Sequence, residues 1–163
     1  MVNEPVSMDA LLREISAHHL PNPPASPAQI EAFEKRIGWR LDDDLRAFYL
    51  HCDGAALFMS PNSPYMFRPL ADIVRARAVM GLADTDEWGP PDWYIVCDLQ
   101  DSNYALVDVS AQREGRYPIR DGYREMFPEP EYCPVITPSF AMFLAGALTS
   151  ADGRSFWLKG KGT

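Results

Sequence analysis

The sequence predicts an α+β domain. Three observations carry this: amphipathic helical spacing as far as Asp53-Gly54, short apolar runs between tight turns from Ala55 to Ile119, and a capped apolar segment near the C-terminus. Helices that lead, strands in the middle and a helix that closes describe a central antiparallel sheet packed by N-terminal helices and a C-terminal helix. At 163 residues the chain is expected to be one domain spanning 1–163, with a core over about 20–148 and two extensions, an N-terminal helix at 7–19 and a tail at 150–163.

Ser7 caps a first helix with Met8, Leu11, Leu12 and Ile15 on its apolar face and His18 and His19 at its end, where a cation suits the helix dipole. Pro21, Pro23 and Pro24 stop it and make an extended crossover. Ser26, Pro27 and Gln29 form a capping-box start for a second helix, whose stripe is Ile30, Phe33 and Ile37 and whose stop is Gly38. Asp42 or Asp43 caps a third, which buries Leu45, Phe48, Tyr49 and Cys52 before the Asp53-Gly54 turn. Strands follow at Ala55 to Met59 and Met66 to Leu70, around Ser60-Pro61-Asn62-Ser63-Pro64. Ala71 to Met80 returns to helical spacing through Ile73, Val74, Arg77 and Met80. Leu82 to Trp93 is irregular and acidic, and further strands are expected at Trp93 to Cys97, Tyr104 to Val109 and Arg116 to Ile119. After an irregular Asp121 to Val135, Thr137 is expected to cap the last helix with Pro138 at its first position and Phe140, Phe143, Leu144, Ala147 and Leu148 buried. Phe156, Trp157 and Leu158 are expected to pack back.

Composition narrows the function classes. The net charge of −8 argues against direct binding of nucleic acid, which needs a basic surface, and suits a basic protein partner. No apolar run is long enough to span a bilayer, and Glu4 and Asp9 stand where a signal peptide would be basic and then apolar, so no membrane partner and a cytoplasmic location are expected. Cys52, Cys97 and Cys133 are odd in number and lack metal-ligand spacing, which fits free thiols.

The acid-rich helix ending at Gly38, then Trp39-Arg40-Leu41 and a short helix reading Leu45-Arg46-Ala47-Phe48-Tyr49, resembles the opening of the SUKH superfamily. That superfamily groups cell-wall regulators of the Smi/Knr type with bacterial immunity proteins. Tyr94 to Asp98 with Asn103 to Asp108 looks like its central strand pair, and Thr137 to Leu144 like its closing helix. The chain departs from the family pattern at Asp42, where Pro is common, and at Ser102-Asn103, where Gly-Asp is favoured. The resemblance implies a non-enzymatic binding protein, an immunity protein that neutralises a cognate protein toxin, or alternatively a regulatory or scaffold module.

No cofactor or metal site is expected. His51-Cys52-Asp53 puts reactive types together, but neighbours on a helix point about 100 degrees apart, and Cys52 continues a buried stripe. Asp98 with Asp101 is the imaginable hydrolytic pair, although turn-forming residues explain both. Binding is the better case. From Ala78 to Gln112 there is no Lys or Arg but there are seven acids, with Trp88 and Trp93 among them. Trp93, beside a strand, reads as core. Asp84, Asp86, Glu87, Trp88, Asp92 and Asp101 are the expected partner contacts, aromatic area for desolvation and carboxylates for steering and register. A homodimer seam at Trp88 or Trp157 is the other use such aromatics could have.

Overall fold

Caps set where the helices begin. The computed structural model describes residues 7–58, 63–150 and Phe156. Ser7 Oγ accepts from the Ala10 amide at the start of α1 (Met8–His18). The capping box forms in full at α2 (Pro27–Ile37): Ser26 Oγ accepts from Gln29 N at 3.1 Å, and Gln29 Oε1 accepts from Ser26 N at 2.7 Å. Gly38, left-handed at φ 92°, ends that helix. Asp42 caps α3 (Asp43–His51) by accepting from Leu45 N at 2.9 Å, and its other oxygen accepts from Tyr117 N at 2.9 Å.

Seven strands form one antiparallel meander in chain order: β1 (Leu20–Pro21), β2 (Ala55–Ala56), β3 (Met66–Phe67), β4 (Trp93–Asp98), β5 (Tyr104–Asp108), β6 (Ile119–Gly122) and β7 (Val135–Thr137). The central pair is buried on both faces, which is why β4 reads as a continuous apolar run. Tyr94, Val96, Ala105, Val107 and Ile119 meet the main core under α1, α2, α3 and α5 (Phe140–Leu148). Trp93, Ile95 and Leu106 point the other way, into a smaller core closed by α4 (Ala76–Met80) and Cys133. A bulge between Ile95 and Cys97 turns both Val96 and Cys97 to the main core. Gly54 lies so close to β3 that a Cβ there would stand 2.7 Å from the Phe67 carbonyl oxygen.

Several elements differ from the sequence expectation. Ala71 to Met80 is not one helix: a 3-10 turn at Leu70–Asp72 is followed by extended residues, because Val74 O accepts from Ile95 N and Arg75 bridges Tyr94, so the sheet captures backbone that helical spacing would have used. Thr137 belongs to β7, and Ser139 is the cap of α5, accepting from Met142 N at 3.2 Å. β6 starts at Ile119, later than expected, since the Tyr117 amide is committed to Asp42 and Pro118 has no N–H. β1 and β7 are unforeseen, each too short for an alternating pattern. Of the expected tail contacts, Phe156 packs on Phe143 with ring centroids 5.6 Å apart; Trp157, Leu158, the expected strand end at Met59 and the Ser60-Pro61-Asn62 part of the expected turn lie outside the described residues.

His19 differs in chemistry, not in place. It is buried, its Nδ1 accepts from Phe58 N at 2.8 Å, and its ring stands edge-on to Phe58. An acceptor nitrogen requires the neutral form. Burial holds the imidazole below its ordinary value, against the pull of Glu14, so the unfolded chain binds more protons just below pH 6.5. Stability should therefore fall as pH drops below about 6.5, and His19→Gln, which keeps an acceptor for Phe58, should flatten that part of a plot of Tm against pH. The β4–β5 connection gives a second test. Asp101 (φ 61°) and Ser102 (φ 60°) are consecutive left-handed residues, with Asn103 N donating to Gln100 O at 3.3 Å. This is primed-turn geometry that favours glycine. Ser102→Gly should raise the urea midpoint at unchanged slope, a gain of about 0.5–1 kcal/mol.

Candidate acidic recognition loop

The segment from Gly81 to Asp92 crosses the sheet face opposite the main helices, and one arginine holds it. Arg77 lies on α4 with its side chain only 8% exposed. Its Nε donates to Asp84 Oδ1 at 2.7 Å, and one terminal nitrogen donates to Asp86 Oδ1 at 2.6 Å and to the Gly89 carbonyl at 3.1 Å. Arg75 adds a longer contact to Asp84 Oδ2 at 3.4 Å and anchors the loop exit by donating to the Pro91 carbonyl at 3.0 Å. The Arg77 hydrogen bond, with help from Arg75, holds the Asp84 carboxyl below the usual carboxylate range.

Backbone shape follows from this clamp. Asp86–Trp88 closes a 3-10 turn, with Trp88 N donating to Thr85 O at 2.9 Å. Trp88 backs onto Gly81, where a Cβ would stand 2.7 Å from the Trp88 Cβ, and leaves 37% of its surface exposed. Gly89, at φ 142°, fits against the Phe127 ring. Beneath it Trp93 is buried, as expected of a residue beside a strand, between Phe127 and the Arg120 guanidinium 4.9 Å from its ring. Arg120 also pairs with the buried Asp108 at 2.8 Å; burial alone would raise that carboxyl, but bonds from Ser110 and Arg120 bring it below the ordinary value.

The structure thus brings Asp84, Asp86, Glu87 and Trp88 into one loop, with Asp92 at its exit. Asp101 is not with them. It sits beyond the other end of β4, a strand about 20 Å long, in the turn beside Asn103, Tyr123 and Glu125. The run without Lys or Arg is also less purely acidic in space than in sequence, because Arg75 and Arg77 fold back on Asp84 and Asp86. Glu87 has no partner among the described residues and keeps its charge free. Sequence reasoning passed over Arg77, yet the signal was present: an arginine on the apolar spacing of Ile73, Val74 and Met80 requires carboxylates to accept its donors.

The side chains considered for catalysis have other occupations. Cys52 is fully buried and its thiol is pushed up to about 12, first by burial and then by Asp53; Cys133 is pushed up to about 11, and Cys97 lies well above its ordinary value. None is a thiolate near neutral pH. His51 Nε2 lies 2.6 Å from Ser16 Oγ, and Asp98 is bound by Arg68 at 2.7 Å. Among the described residues no group of three or more His, Cys, Asp or Glu is placed to hold a metal, and no helix is long and apolar enough to cross a membrane.

Over residues 24–146 the chain matches the SMI1/KNR4 family (SUKH-1). It belongs to that family. The matched span contains the capping-box helix pair, the central hairpin and most of the closing helix. No curated protein matches the chain. At family level the domain is a generally non-enzymatic one with immunity or regulatory roles.

The clamp makes a checkable demand. Arg77→Gln should lower Tm and speed hydrogen exchange at the Gly81 and Trp88 amides, while amides of β5 and β6 keep their protection.

Proposed function

We propose that this SUKH-family protein is an immunity protein, which binds a cognate protein toxin and neutralises it by covering a basic, nucleic-acid-targeting surface. The observation that carries the reading is the Arg77-held loop. A loop fixed before binding loses little conformational freedom when it docks, so its exposed groups contribute more of their contact energy to affinity. Glu87, Asp92 and the outer oxygen of Asp86 give the charge that steers a basic partner, and Trp88 gives the desolvated area. Asp101, about 20 Å from Asp92, joins the same contact only in an interface of standard size, about 800 Å² per partner.

Neutralising the whole acidic loop would disturb the clamp as well as the surface, so the discriminating substitutions are those outside it. Glu87→Gln with Trp88→Ala should leave Tm close to the original and weaken partner binding about tenfold or more, most of all at low salt. The experiment is a pull-down from lysate of the producing cell at low and high salt, with partners identified by mass spectrometry. A single basic, toxin-like protein lost at high salt and from the double variant supports the proposal. Capture of that partner unchanged by the double variant removes the loop from the contact, and a set of housekeeping proteins replaces the immunity reading with a regulatory module.

A further inference from the structure

Behind the acidic loop, where the C-terminal end of α2 meets the stretch leading into α4 and the start of β4, lies a pocket of about 250 Å³. Two guanidiniums open onto it. Arg36 is fixed by stacking 5.3 Å over the Phe33 ring and by donating to the Leu70 carbonyl at 3.0 Å. Arg75 is fixed 5.7 Å over Tyr94 and by its bond to the Pro91 carbonyl. Both anchors are neutral carbonyls and rings, so neither positive charge is cancelled by them. Arg36 has no carboxylate partner among the described residues, and Arg75 has only the long contact to Asp84. Asp84 in turn makes its shorter bond to Arg77. Of the charged groups that line the pocket, Arg36 and Arg75 are two guanidiniums against the one carboxylate of Asp84, which Arg77 also neutralises, so the pocket keeps a surplus positive charge in a chain whose net charge is −8. The rest of its wall is Ile37, Ile73, Val74 and Ala78, with the Tyr94 ring and the Asp84 carboxylate that Arg77 also holds.

We infer that this pocket binds a carboxylate carried beside an aliphatic group, as at the C-terminal residue of a peptide or in an acidic side chain next to a leucine or valine. An arginine retains several N–H donors in a planar fork after one bond to a carbonyl, and that fork matches a carboxylate. The aliphatic wall takes the neighbouring apolar group and excludes water from the ion pair. The inference does not depend on the acidic loop being a toxin contact. The two surfaces share Asp84 but have opposite sign, so each can hold or fail alone.

The test uses the full chain, ¹H–¹⁵N spectra that include the arginine Nε–H signals, and three probes: N-acetyl-leucine, its uncharged amide, and N-acetyl-leucyl-glutamic acid α-amide, whose only carboxylate is the side chain's. The expected result is saturable shifts at Ile73, Val74 and the Nε–H groups of Arg36 and Arg75 with a carboxylate probe, with the leucine amide about tenfold weaker or inert. The ratio of the two carboxylate probes tells a chain terminus from an acidic side chain. Arg36→Gln, a change outside the acidic loop, should weaken the favoured probe about tenfold, and Arg36→Lys less. Equal binding of acid and amide, shifts scattered over the surface, or no saturable shift at concentrations up to about 20 mM would each overturn the inference.

Discussion

The fold turns on the side chain of Asp42. One oxygen caps α3 through Leu45 and the other accepts from the Tyr117 amide, 75 residues away at the entry to β6. Both donors are buried, so both bonds form in low dielectric, where an unmet N–H is costly. The same corner is tied twice more: Tyr117 Oη donates to the Arg40 carbonyl at 2.8 Å, and Asp44 forms an ion pair with Arg116 and accepts from the Ala141 amide. The helical layer, the sheet and α5 are thus fastened at one point. Burial raises the Asp42 carboxyl above its ordinary value despite those two bonds, a sign that position outweighs ease of ionisation there. Asp42 thus caps a helix and recruits a strand with one side chain.

The two faces of the sheet are built on different principles. The helical face is a large apolar core in which aromatic rings meet edge to face, with Phe48, Phe67, Phe140 and Phe143 at its centre. The opposite face has few apolar residues to bury and is organised by arginines: Arg77 under the acidic loop, Arg120 over Trp93, Arg68 between Asp98 and the Tyr104 ring. A guanidinium can satisfy several acceptors in a fixed plane, so it orders loop backbone that has no regular ladder. That face combines charge, exposed aromatic area and irregular backbone held in one shape, which is what recognition of another protein surface uses. A non-catalytic binding role for a member of the SMI1/KNR4 family agrees with this division of labour.

Much of this was legible in the chain. Ser26, Pro27, Gln29 and Gly38 define α2 from four positions, and Tyr94 to Asp98 with Tyr104 to Asp108 define the central hairpin, because local capping and apolar pattern act within a few residues. The misses share one cause. Val74 and Arg75 are extended because β4 lies alongside, β6 starts late because Asp42 takes an amide from a distant segment, and His19 is neutral because Phe58 needs an acceptor. The acidic loop looked unopposed for the same reason, since its counter-charges precede it in sequence and reach it only through the fold. The sequence by itself determined the α+β class, the ends of the first three helices and the family pattern, all set by short-range capping and periodicity. Only the tertiary structure decided which acids are clamped and which are free, because hydrogen bonds between distant segments exist only once burial has brought their donors and acceptors together.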